Sequence, residues 1–387
     1  MRPDRPRRVL VVGQSVRHIA SSAARAGHAV FAADCYNDLD LAESVYQTSI
    51  LEADPSIPGE LAISARDLIR TVLDRGLVDC IVLGPGIEDM RIDGIEGING
   101  IDGIEVLNNP PEKISQVSDK LWLAGCLERE GFATAPTWQI GEEGSASFPQ
   151  MVKPRKGAGG AENRLVFSDV DLARLEGDLI VQERVEGIPA SVSVIADGED
   201  AVAISANEQL IGTEWLGGSG FRYCGNISPL DRSRDDPDVV DMMKAAEEIA
   251  SMLRLVGSNG VDFILTESGP VVLEVNPRFQ GSLDAVEISL GMNLFGAHLL
   301  SFDGILPARP KPRGFGGRGV VFAKSDLKIE EDLRRATKWV ADVPRPGSFA
   351  KRGEPVTSVL SFGKNGKEAI KLLQSRSSAV YRACRGR

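Results

Sequence analysis

VDFILTESGPVVLEVNPR, residues 261–278, is the stretch on which the reading of the whole chain turns. Two apolar runs flank a Thr-Glu-Ser-Gly turn, the pattern of an antiparallel hairpin whose side chains alternate between two faces. Glu274 and Asn276 stand two apart and so share a face, while Asp262 interrupts the apolar partner strand. Two carboxylates and a carboxamide then converge with no His or Cys among them. An all-oxygen set suits Mg²⁺, which takes one or two carboxylates and completes its octahedron with water and phosphate oxygens, and it argues against zinc. By themselves the same residues also fit a solvent-facing strand with local partners, so the remaining chain has to decide.

Upstream, QMVKP at 150–154 sets Lys153 in an apolar strand, and the glycine-rich KGAGGAENR at 156–164 offers little bulk to obstruct a phosphate. A half-buried lysine needs an anionic partner, and a triphosphate supplies one. The short runs QMVKP, RLVF, LIVQERV, SVSVIADG and AVAISAN, separated by glycine turns, predict a strongly twisted antiparallel or mixed sheet. Residues 7–35 read as a buried strand, a turn at Gly13, a helix, a turn at Gly27 and a second strand ending at Asp34. With a helix around 62–75 and the strand CIVLGPG at 80–86, this predicts a doubly wound α/β unit. IDGIEGINGIDGI at 92–104 lacks the close oxygen spacing and closing Glu of a calcium loop and reads as a surface excursion that buries its isoleucines. In the last eighty residues the pattern is strand, helix over 329–341, a Pro/Gly turn, strand, and a helix from Gly366, together a small α+β cap.

In this order the motifs resemble the ATP-grasp superfamily, in the carboligase-like branch related to biotin carboxylase and carbamoyl phosphate synthetase, over about residues 118–300. The resemblance implies a doubly wound α/β domain over 1–111, an ATP-grasp domain over 112–308 with a glycine-rich lid at about 151–185, and a C-terminal α+β cap over 309–387. It implies that Lys120 and Lys153 hold the nucleotide phosphates, that Gly157, Ala158, Gly159 and Gly160 belong to the lid, and that Gln182, Glu183 and Val185 lie in the linker recognising adenine. Asp262, Glu274 and Asn276 then take the magnesium, and Arg278 steadies the transferred phosphoryl group. One departure stands out: family members often carry a ribose-binding Glu where this chain has Pro189 in Gly187-Ile188-Pro189, so ribose must be recognised differently. The implied activity is that of an ATP- and Mg²⁺-dependent ligase, with Mn²⁺ as a substitute ion. It activates a small carboxylate as an acyl phosphate and joins it to an amine, within cofactor biosynthesis. Activation of bicarbonate, as in carboxylases and carbamoyl phosphate enzymes, is the alternative, and a catalytically silent nucleotide sensor is the reading from another class.

Substrate contacts are less legible. Arg222, in WLGGSGFRYCGNISP at 215–229, and the helix start at Gly281 and Ser282 are the candidates, the latter placed to hold an anion. Of the three histidines, His18 reads as a solvated first-turn residue, His28 as exposed and His298 as packed on a helix, with no nucleophile beside them. A dinucleotide site is suggested by Asp34, 21 residues after Gly13, but GQSVRH lacks the second and third glycines of that fingerprint.

Composition bounds the rest. At 387 residues the chain has room for two or three domains. Its 44 Lys and Arg against 55 Asp and Glu give a net charge of −11, which disfavours nucleic acid and membrane surfaces as partners. The basic residues near the two ends read as solvated termini. Five scattered cysteines without a C-x-x-C pair point to a reducing cytoplasm, and no apolar run is long enough to span a membrane. A homodimer is the common arrangement for such enzymes.

Overall fold

A computed structural model describes residues 6–54, 57, 59–91, 104–142, 147–157 and 159–384. Residues 92–103 of the isoleucine-glycine repeat, Ala158 of the expected lid, and the basic Arg2 and Arg5 lie outside the described residues.

The first part of the chain forms a parallel sheet of β1 (Arg8–Val12), β2 (Ala29–Asp34), β3 (Gln47–Ile50), β4 (Cys80–Leu83) and β5 (Glu105–Val106), in the order β3-β2-β1-β4-β5. Helices α1 (Arg17–Arg25), α2 (Leu39–Ser44) and α3 (Glu60–Asp74) connect the first four. Both faces are buried: Val9 and Val11 join a core with Ile19 of α1, whereas Leu10 and Val12 join another with Ile69 of α3. An unbroken apolar run is therefore the right sequence for β1. Gly13 ends it because a Cβ there would lie 2.9 Å from the backbone of Gly84, too close for any side chain.

After α4 (Pro111–Val117) and α5 (Lys120–Arg129), a small antiparallel sheet orders β6 (Thr137–Gln139), β9 (Leu179–Glu183), β7 (Gln150–Pro154) and β8 (Arg164–Val166), with α6 (Asp169–Leu172) at its edge. The chain then builds β10 (Ile188–Asp197), β11 (Ala201–Ile211), β12 (Tyr223–Ser228), α7 (Pro237–Met252), β13 (Val256–Thr266), β14 (Gly269–Asn276), α8 (Leu283–Leu290) and α9 (Leu294–Ser301). β13 and β14 are the expected hairpin, with Asp262 directly opposite Glu274 and Gly260 opposite Asn276. Alternation divides the work of β13: Val261, Phe263 and Leu265 pack with Met242, Ala246 and Ile249 of α7, and Asp262 between them turns the other way.

The C-terminal segment holds the expected strands and last helix but lacks one expected helix. β15 (Phe315–Phe322), β17 (Val340–Ala341) and β19 (Pro355–Gly363) continue the large sheet, giving the antiparallel order β14-β13-β10-β11-β12-β15-β19-β17. The helix expected over 329–341 is absent. Asp332 caps a single 3₁₀ turn at Leu333–Arg335, and the chain then extends to pair Val340 with Val359 and Ala341 with Ser358. With only Ile329, Leu333 and Ala341 buried, the segment has no helical apolar stripe, and pairing with β19 overrides its local helix propensity. β16 (Leu327–Lys328) pairs with β18 (Phe349–Ala350), and α10 (Gly366–Cys384) begins where the sequence indicated.

His28 is buried rather than exposed: its Nδ1 accepts from the Arg7 N–H at 3.1 Å, and its ring meets Phe295 edge-on. His298 does pack on a helix, bridging the Ser258 N–H and the Leu107 carbonyl. The five cysteines are free, and among the described residues no helix is long and apolar enough to cross a membrane.

Phe263→Ala is expected to lower unfolding stability by about 3–5 kcal/mol, because a fully buried ring leaves a cavity under the hairpin. Denaturant unfolding checks this, and a loss below about 1 kcal/mol would show that α7 does not depend on this face of β13.

Candidate active site

A single cleft of about 1840 Å³ runs between the two antiparallel sheets and the edge of the parallel one. That exceeds the roughly 300–1,000 Å³ of a pocket for one small molecule, so there is room for a nucleotide and a second ligand. Every described residue singled out from the sequence lines it: Lys120, Lys153, Gly157, Gly159, Gly160, Gln182, Glu183, Val185, Arg222, Asp262, Glu274, Asn276, Arg278, Gly281 and Ser282.

The hairpin places the acids. Asp262 and Glu274 face one another across β13 and β14, and Asp262 accepts from the amides of Gln209 and Asn276, each at 3.0 Å. Burial and the facing Glu274 charge hold Asp262 well above the usual carboxylate range. Burial alone would also raise Glu274, but the charges of Lys120 and Lys153 outweigh it and hold this carboxyl below its ordinary value. Lys120, at the start of α5, lies 3.6 Å from Glu274 and donates to the Gly157 carbonyl at 2.7 Å. Lys153, on β7, donates to Gln182 Oε1 at 2.7 Å, and burial followed by the nearby Lys120 charge lowers its pKa. The donor set fits a hard divalent cation: two acids facing one another and one amide, all oxygen. Among the described residues no three or more His, Cys, Asp or Glu are grouped to hold a metal, and the set here is two acids completed by an amide.

Several partners were not legible in sequence. Gln182 serves Lys153 on one side and Thr137 Oγ1, at 2.9 Å, on the other, because strand pairing puts it opposite Met151 and Thr137. Arg278 pairs with Glu88 of the loop after β4 at 2.8 Å and also donates to Asn276 Oδ1 at 3.2 Å. Arg155 is bound on both carboxylate oxygens of Asp119, whereas Lys156 lines the cleft and reaches Ser115. The glycine loop touches the 221–223 segment: the Tyr223 N–H donates to the Gly159 carbonyl at 3.0 Å, and a Cβ on Gly160 would fall 2.2 Å from the Phe221 carbonyl oxygen.

The other end of the cleft holds a buried charge network. Arg17 forks onto Asp284 at 2.8 and 2.5 Å and reaches Asp342 at 2.8 Å, and Arg318 joins Asp342 at 2.9 Å and Asp284 at 3.5 Å. This changes the anion expectation for the start of α8. The first turn after Ser282 already carries Asp284, and both guanidinium groups are committed to it. Gly281 instead offers its carbonyl to Arg318 at 3.0 Å, and Arg222 rests over the Phe322 ring and bonds the Gly353 carbonyl. His18 is 5 % exposed, not solvated, because α1 turns it inward to the cleft.

The dinucleotide reading fails on Asp34. Its carboxylate is fully buried and accepts from the backbone N–H groups of Val16, Tyr36 and Asn37, so it braces the first turn from within and faces no ribose.

Residues 117–282 match the family model for the ATP-grasp domain. An uncharacterised protein of Methanocaldococcus jannaschii is 24% identical over 97% of this chain and 92% of its own length. The 3-methyl-D-ornithine--L-lysine ligase of Methanosarcina barkeri is 26% identical over 60% of this chain, and the match spans 65% of that ligase. In fold the chain is similar to a biotin carboxylase from Campylobacter jejuni, with a TM-score of 0.72 at 14% identity over 94% of this chain and 89% of the other.

Asp38, beside the network, is pushed up to about 8 by burial and by the charges of Asp342, Asp34 and Asp40. In the native state it therefore keeps a proton that the unfolded chain releases near pH 4. Its contribution to stability is full below about pH 4 and is lost as pH rises through about 8. Asp38→Asn removes this loss, so the variant is expected to gain on the parent between about pH 5 and 8.5 in denaturant unfolding, and a constant difference across that range would contradict it.

Proposed function

Because the chain is built around an ATP-grasp domain, we propose that it is an ATP- and Mg²⁺-dependent ligase that activates a small carboxylate as an acyl phosphate and joins it to an amine. The observation that carries this reading is the meeting of Lys120 and Lys153 with the Asp262–Glu274 pair at one end of a cleft large enough for two ligands. The ligase relative and the carboxylase-like fold support the same class of chemistry.

In this reading Lys120, Lys153 and the glycines at 157, 159 and 160 hold the nucleotide phosphates, and Gln182, Glu183 and Val185 border the adenine. Asp262, Glu274 and Asn276 would hold Mg²⁺, which neutralises phosphate charge when bound. Lys153 is poised for an anion because its present partner is a neutral amide oxygen, so an arriving phosphate displaces no carboxylate from it. Arg278, held by Glu88 and Asn276, would steady the transferred phosphoryl group or the acyl phosphate. Positioning and charge neutralisation supply most of what phosphoryl transfer needs. The acyl phosphate is then open to the amine, whose attack forms the new C–N bond and releases phosphate. Closure of the glycine loop keeps water from the intermediate. A homodimer in the cytoplasm, with a domain division near residues 111 and 308, belongs to the same proposal; the free cysteines are in keeping with a reducing compartment.

The test is ADP and phosphate release from ATP and Mg²⁺ by the purified chain, screened against pooled carboxylates with and without pooled amines, with bicarbonate as a separate arm. Release that requires one acid and one amine is expected. Release with bicarbonate alone would move the assignment to carboxyphosphate chemistry, and ATP binding without release in any pool would favour a sensor. Glu274→Gln is expected to cut turnover by at least about 10²-fold while leaving the fold intact, and unchanged turnover would remove Glu274 from the metal site. Lys153→Ala is expected to weaken ATP binding by about tenfold or more in a fluorescence titration, and unaltered affinity would take Lys153 off the phosphates.

A further inference from the structure

The end of the cleft away from Lys153 is built for a ligand of definite charge. His18 lies there with only 5 % of its surface exposed, and neither ring nitrogen has a hydrogen-bond partner. A buried imidazole left without partners on both sides is costly, and each nitrogen lost to water is one a ligand can satisfy. Asp38, equally buried and at the entry to α2, lines the same cleft and shares the neighbours Arg17 and Asp342 with His18, and its carboxylate does not cap that helix. Around these two lie Asp34, Asp40, Asp284 and Asp342, with Arg17 and Arg318 paired to the last two.

The bonds already made show which acids are spoken for. Asp34 is filled by three backbone N–H groups, Asp40 by those of Asp342 and Val343, and Asp284 and Asp342 by the two arginines. Asp38 has no such partner, and its side chain lines the cleft. Resting on the ligase reading above, we propose that this compartment recognises the amine substrate by a second, non-reacting ammonium group seated against Asp38 and His18, while the amine that attacks the acyl phosphate is a different, neutral nitrogen.

The protonation states suit that role. Burial, together with Arg318 and Arg17, lowers His18 to about 3, so its ring is neutral and one nitrogen is free to accept an N–H. The excess of acids that pushes Asp38 up to about 8 is the same field that attracts a cation, and an ammonium at contact distance replaces the proton Asp38 otherwise retains. An anion is less well served: Arg17 and Arg318 are both ion-paired with Asp284 and Asp342, which leaves the Arg318 Nε as the cationic donor without a hydrogen bond, against the Asp38 carboxyl and a neutral imidazole.

The test uses the full chain saturated with MgADP, so that no turnover is needed, and measures binding by calorimetry. Putrescine is compared with 1,4-butanediol, and L-lysine and L-ornithine with L-norleucine, pairs alike in shape that differ in the side-chain or terminal charge. At least one cation is expected to bind about tenfold or more tightly than its uncharged counterpart. Asp38→Asn should abolish that preference, and His18→Phe should weaken the cation several-fold, with His18→Gln recovering part of the loss. MgADP affinity measured on each variant reports an intact fold. Equal binding of the charged and uncharged members, no binding by any cation, or a preference that survives in Asp38→Asn would overturn the proposal. Failure of the ligase reading looks different: the parent chain would bind no MgADP, or would release no ADP with any acid, whatever the cation result.

Discussion

Four charges that must neutralise one another away from water fix the arrangement of this molecule. Arg17 comes from the first helix, Asp284 from the first turn of α8, Arg318 from β15 and Asp342 from just after β17. Removing one partner from such a set strands the others, at about 3–5 kcal/mol. Asp40 adds a backbone clasp on Asp342 and Val343, where Asp342 sits at φ 54, a region that a non-glycine residue occupies only when its surroundings hold it there. The parallel sheet is thereby held against the large antiparallel one, and the walls of the cleft keep their separation.

With that separation set, strand alternation distributes the chemistry. On β13 Val261, Phe263 and Leu265 pack with α7 while Asp262 and Ile264 turn to the cleft, and β14 answers with Glu274 directly across from Asp262. The lysines approach from the smaller sheet and from α5, so the acids and the cations that hold Glu274 ionised belong to different structural units. The cleft thus has one end rich in cations and metal-suited oxygens and another where acids outnumber arginines.

The first end was legible in sequence and the second was not. VDFIL and LEVNP carry a period-two pattern, and the glycine loop and Lys153 lie in consecutive residues, so local reading found them. The parallel sheet was equally plain, since β1 and β4 are apolar runs buried on both faces. Arg17 and Asp342, by contrast, are separated by 325 positions, and nothing local marks them as partners. His18 reads as solvated because it follows the turn at Gly13 beside Arg17, and the packing of α1 against α8 and α9 turns it inward. The segment at 329–341 was misread because its helix-forming residues yield to a strand edge that the sequence does not display.

Asp34 has a consequence for anyone who would redesign this scaffold. Its carboxylate supplies three hydrogen bonds that hold the backbone around Val16, Tyr36 and Asn37 in place. The position that a nicotinamide-binding sheet would spend on a sugar is therefore occupied from inside. Grafting a glycine-rich turn at residues 13–18 would not convert the domain, since a side chain freed to reach outward would abandon the loop that presents His18 and Asp38. Specificity at this edge of the sheet can be changed only by replacing the brace together with the turn it supports.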